Sequence, residues 1–182
     1  MPLPTLRAAQ VEGVTQQVVA YIGQQRQTYR PGATPLNLSQ KTVMRPFFPE
    51  AALNATRLVV LAGQRVNNPP FYGELIKMGF DAALLPDFAH MAAITFVDTV
   101  VSHEAFTSRV LFHELVHVVQ YGKLGVPEFA SKYVRGFLNG GSYPGIPLEM
   151  NAYELDGRFA AEPTKHFSVE AEIQSWIAAG KF

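Results

Sequence analysis

Residues Phe112–Gln120, FHELVHVVQ, set two histidines four positions apart, with a glutamate directly after the first. On an α-helix this spacing brings His113 and His117 to one face, about one turn or roughly 6 Å apart, where two imidazoles can share one ion. Leu111, Phe112, Leu115, Val116, Val118 and Val119 cover nearly every remaining side, so the helix belongs in the interior. Two histidines and a carboxylate are costly there unless they are paired or bind a metal. The nonapeptide therefore points to a buried helix whose polar stripe faces a cation, with a second element completing the coordination; the plain alternative is a satisfied structural pair of histidines.

Zinc takes histidine nitrogen at about 2.0–2.1 Å, and a catalytic zinc has three protein ligands and a water. Glu114, beside His113, is the expected general base for that water. A third histidine six residues after His117 is ruled out, because Lys123 stands there and Gln120 occupies the glycine position of that extended pattern. The segment after Pro147 offers a carboxylate instead. Proline suits the first turn of a helix, and acidic residues suit its positive end. Glu149, Tyr153 and Asp156 share one face of that helix, whereas Glu154 points about 140° away, so Glu149 is the predicted third ligand. His90, His103 and His166 fit surface or capping positions better, and Ser102 is the expected N-cap of the metal helix.

With these residues in place, the chain resembles the gluzincin class of zinc metallopeptidases, and within it the minigluzincin-like domains that carry HELTHVVQ-type helices. The likeness is specific over His113–Gln120 and extends more loosely from Asp98 to Arg158. It implies zinc held by His113, His117 and Glu149, Glu114 as base, and hydrolysis of a peptide bond in a peptide or protein substrate. It also implies an edge strand beside the metal helix that pairs with the extended substrate. Many relatives carry an aspartate where this chain has Tyr153. That aspartate orients a zinc-binding histidine, so here either Asp156 or another group does this work, or Tyr153 has a different role. Enzymes of this kind add a donor for the oxyanion, and Tyr143 and Tyr153 are the candidates. Met150 and the Phe47–Phe48 pair suit either a side-chain pocket or ordinary core packing.

The 182 residues, 48% hydrophobic and 16% charged, suffice for one domain with a sizeable core. Its expected parts are a helical or irregular stretch over 1–50, a zincin-like core over 51–160 and a C-terminal helix over 161–182. Fifteen basic residues balance fifteen acidic ones, which leaves no footprint for nucleic acid. Low charge with 12% aromatics suits self-association or a protein partner. Without cysteine, disulfides and thiolate metal sites are excluded. Neither a secretory start nor a membrane-length apolar run is visible, and a soluble cytoplasmic protein is expected.

Periodicity predicts an amphipathic helix from Leu6 to about Arg26, then breaks at Pro31, Gly32 and Pro35 and an irregular segment between Pro46 and Pro49. Strands are expected at Arg57–Ala62 and, as one continuous run, Ala93–Val101. A loop covers Asn67–Tyr72, with short helices at Gly73–Met78 and Asp87–Met91. The second strand is read either as the substrate-pairing edge or as an ordinary strand with Asp98 in solvent. The metal helix is predicted from near Glu104 to Tyr121, stopping at Gly122. Pro127 opens a further helix to about Leu138, and Ser168 caps a last one ending at Ala179. The sum is a mainly helical α+β domain with a small sheet. Its function reads as zinc-dependent peptide hydrolysis, with a non-catalytic zinc-stabilised binding or scaffold module as the alternative.

Overall fold

A computed structural model describes residues 3–182 as an α+β fold of helices around one small mixed sheet. In chain order the elements are α1 (Ala8–Tyr29), β1 (Thr34–Pro35), α2 (Leu38–Met44), α3 (Glu50–Ala55), β2 (Arg57–Val60), α4 (Tyr72–Lys77), β3 (Ala93–Phe96), β4 (Thr99–Ser102), α5 (Ser108–Gly140), α6 (Pro147–Ala161) and α7 (Val169–Ala178). The strands lie in the order β1-β2-β4-β3; β2 and β4 are parallel, and the two outer pairs are antiparallel. β3 is thus an edge strand.

Strand side chains alternate between two layers, as the pleat requires. Leu58, Ala93 and Val100 pack on the metal-helix side with Leu111, Leu115 and Val119. Ile94, Phe96 and Val101 turn the other way, toward Tyr21 of α1 and Val66. The sheet is therefore covered on both faces, and α5 packs against β3, where Thr95 meets Glu114. At the far side of α5, Phe112 stacks on Phe159 of α6 at 4.5 Å and meets Phe47 and Phe48 edge-on. The Phe47–Phe48 pair is core, not pocket.

Several elements differ from the sequence reading. The metal helix begins at Ser108 and is capped by Thr107, whose hydroxyl accepts from the Val110 N–H; Ser102 ends β4 instead. The helix passes through Gly122 and breaks at Gly125, where φ is 75° and ψ 161°. Pro127 explains the shift, since its ring clashes with the carbonyl four residues earlier and forbids a continuous helix, and Gly125 takes the non-helical angles at least cost. The expected single strand Ala93–Val101 is a hairpin, β3 and β4 joined at Val97 and Asp98. Val97 has φ 65°, an unusual conformation for a β-branched residue, while Asp98 is clamped by Arg26 and Arg30 at 2.7–2.8 Å and does not face open solvent. Finally, α2 and α3 flank the prolines where no helix was predicted. Asn37 and Gln40 form a capping box at the start of α2.

Candidate metal centre

The first half of α5 presents His113 and His117, and the position of α6 decides whether a third ligand reaches them. Glycine sets that position. A Cβ on Gly136 would lie 2.6 Å from Cδ of Pro147, and one on Gly145 would lie 2.8 Å from the Gly140 carbonyl oxygen. Without these side chains, the turn Tyr143–Gly145 and the start of α6 press directly onto the second half of α5. Pro147 is the first residue of α6, so Glu149 falls in its first turn and turns inward.

His113, His117 and Glu149 are all buried, and their ligand atoms converge. The two Nε2 atoms are 3.2 Å apart, and Oε2 of Glu149 is 3.4 Å from each. A tetrahedral ion with ligands at about 2.0–2.1 Å requires ligand–ligand edges of roughly 3.3–3.4 Å. Two sides of the triangle match that edge and the third is about 0.1 Å shorter. Both outer ring nitrogens are already committed to acceptors. His113 Nδ1–H donates to Asp156 Oδ2 at 2.8 Å, and His117 Nδ1–H donates to Gln120 Oε1 at 2.8 Å. The Gln120 amide is fixed in turn, because its Nε2 donates to the Leu148 carbonyl and to Asn151 Oδ1. In neutral rings this leaves two Nε2 lone pairs aimed at each other and at a buried carboxylate oxygen that has no hydrogen-bond partner. Protonation of an imidazole or a bound metal ion relieves this arrangement, and the group could hold a metal ion.

Charge in the metal-free site follows from the same geometry. Burial alone lowers the pKa of His113, but the hydrogen bond to Asp156, with Glu149 and Glu114 nearby, lifts it to about 10. For His117 burial also acts downward and the Glu149 charge outweighs it, so its pKa is raised. Burial raises Glu149, yet the two imidazoles hold it well below the usual carboxylate range. A proton therefore occupies the place a metal would take, and binding must displace it.

Glu114 lies beside this triangle without joining it. Thr95 of β3 donates its hydroxyl to Glu114 Oε2 at 2.7 Å, and both residues line a cavity of about 120 Å³ with His117 and Glu149. All four β3 residues line the same cavity, and its remaining wall is apolar, including Phe71, Phe129, Val134 and Phe137. Tyr143 belongs to that wall. Tyr153 lies outside it, half exposed, with its ring 4.6 Å from that of His113. Burial, then the Glu149 charge, raises the pKa of both tyrosines, which keeps their hydroxyls protonated as donors.

No protein family, curated protein or solved structure matches this chain. The structure brings together His113, His117, Glu149 and Glu114, with Asp156 behind His113. Glu154 is on the exposed side of α6. His90 pairs with Asp87 at the surface, His166 packs against Phe47, and His103 bridges Val66 and Met91. None of these three joins the cluster. Three supporting residues went unread in the sequence: Gln120, Thr95 and Arg109. Gln120 had a signal, lying three residues after His117 on the same helix face; Thr95 and Arg109 depend on tertiary contacts and had none.

Proposed function

We propose that this chain is a zinc-dependent peptide-bond hydrolase built on the gluzincin plan. Two imidazoles and one carboxylate are the donor set that suits catalytic zinc with one open position. The metal helix beneath an edge strand supports a zincin-like arrangement. Asp156 stands seven residues after Glu149, and it orients His113 as the aspartate of such sites orients its histidine. The observation that carries the reading is Glu114, a buried carboxylate outside the ligand triangle, held by Thr95 in the wall of the same cavity. A purely structural metal site has no use for a base there.

Bound zinc supplies Lewis acidity at the substrate carbonyl. The chain's own residues do the rest. Glu114 takes the proton of the attacking water and passes it to the leaving amine, with Thr95 keeping its carboxylate in place. Tyr143, protonated and on the cavity wall, is the first candidate donor for the developing oxyanion, and Tyr153, with its ring 4.6 Å from that of His113, is the second. β3 offers its backbone edge to an extended substrate. The apolar cavity, comparable with one that admits a benzene ring, suits a single aromatic or branched aliphatic side chain next to the scissile bond.

The test compares parent and Glu114→Gln on unfolded protein and on peptides with one apolar residue. The parent releases fragments, and the variant is slower by about 10²–10⁴-fold while retaining its zinc. Equal silence from both, with zinc bound, assigns the site to a scaffold module instead.

A further inference from the structure

Asp156 has two oxygens and two partners. Oδ2 accepts from His113 Nδ1 at 2.8 Å, and Oδ1 accepts from Nε and Nη2 of Arg109 at 2.9 and 2.8 Å. Among the described residues, Oδ1 has no other partner. The carboxylate is buried at 4% side-chain exposure, whereas Arg109 is 61% exposed, so the chain of contacts runs from the protein surface to the metal-facing ring. Arg109 also sits where a cation is otherwise unwelcome. It is the second residue of α5, at the positive end of the helix, in a first turn that carries no acidic residue. Four positions separate it from His113, which places both on one face. The helix itself gains nothing from a guanidinium there; Asp156 does.

We propose that Arg109 is a positioning residue of the metal centre, gripping one oxygen of Asp156 so that the other holds the His113 ring with Nε2 turned toward Glu149 and His117. This rests on the metal-site reading above. The two ligand histidines are then supported differently. His117 leans on Gln120, a neutral amide locked by Leu148 and Asn151, and His113 leans on a charged pair whose outer member is accessible to solvent. The competing account makes Arg109–Asp156 a mere tie between α5 and α6, with no bearing on the ion.

A double-mutant cycle read by zinc affinity separates them. Zinc dissociation constants are measured by chelator competition for the parent, Arg109→Gln, Asp156→Asn and the double variant, with thermal melts of each metal-free form. Positioning predicts that Asp156→Asn weakens zinc about 10–100-fold, as loss of such supports does. Arg109→Gln should weaken it by roughly a third to a half of that on a logarithmic scale, and the double variant should be no weaker than Asp156→Asn alone. Arg109→Lys should restore part of the loss, since it keeps the charge without the fork. A zinc affinity for Arg109→Gln equal to the parent's, whether or not its metal-free melt is lowered, overturns the proposal in favour of the tie. Effects that simply multiply in the double variant overturn it as well. A parent chain that binds no zinc overturns the metal reading itself, a distinct failure.

Discussion

Glu149 is the residue on which the reading turns, because it alone comes from outside α5. It is buried with an unpartnered oxygen 3.4 Å from both imidazoles, while Glu154 on the same helix faces solvent. Glu149→Ala should weaken zinc at least tenfold and Glu154→Ala should leave it unchanged, as measured by competition with a chromogenic chelator. The helical spacings of His113, His117 and Glu149 made these residues legible in the sequence, since i, i+4 and i, i+7 relations hold on any helix. Asp156 was legible for the same reason. Thr95 and Arg109 were not, because the register of β3 on α5 and the seating of α6 on α5 decide their partners, and no local pattern encodes either.

At the scale of elements, the seating of α6 is the fragile step. A methyl group at Gly136 meets the ring of Pro147, so Gly136→Ala should shift the start of α6, cost about 1–3 kcal/mol of stability in chemical unfolding, and weaken zinc together with it. The same scale shows why some boundaries resist reading. Val97 favours strands, yet it takes φ 65° in the β3–β4 turn, held by a hairpin whose next residue is clamped by Arg26 and Arg30. The strand pattern accordingly ran through the turn. The break in α5 falls at Gly125, three residues beyond the glycine at which the pattern suggested a stop, and answers to Pro127. The start of α2 carried a readable signal in Asn37 and Gln40, obscured by the surrounding prolines.

For the whole molecule, an ion held by His113, His117 and Glu149 would link α5 to α6 and act as a stabilising ligand of the folded chain, worth about 2.7 kcal/mol at a free concentration one hundred times Kd. The sign with pH follows from His113. Its pKa is raised from 6.5 to about 10 in the metal-free fold, so the stability it contributes is present below pH 6.5 and is lost as pH rises toward 10. Metal-free protein should therefore melt at progressively lower temperature across that window, and the gain in Tm on adding zinc should widen, because less proton remains to be displaced. Thermal scans with and without chelator at pH 6.5, 8 and 10 check both slopes. No helix among the described residues is long and apolar enough to cross a membrane. The most direct test of the central claim is an anomalous difference map from crystals of zinc-loaded protein, collected on either side of the zinc edge. The account predicts one strong peak about 2.0–2.1 Å from Nε2 of His113, Nε2 of His117 and an oxygen of Glu149. A map with no peak between those three residues, or with the zinc bound to other side chains, contradicts it.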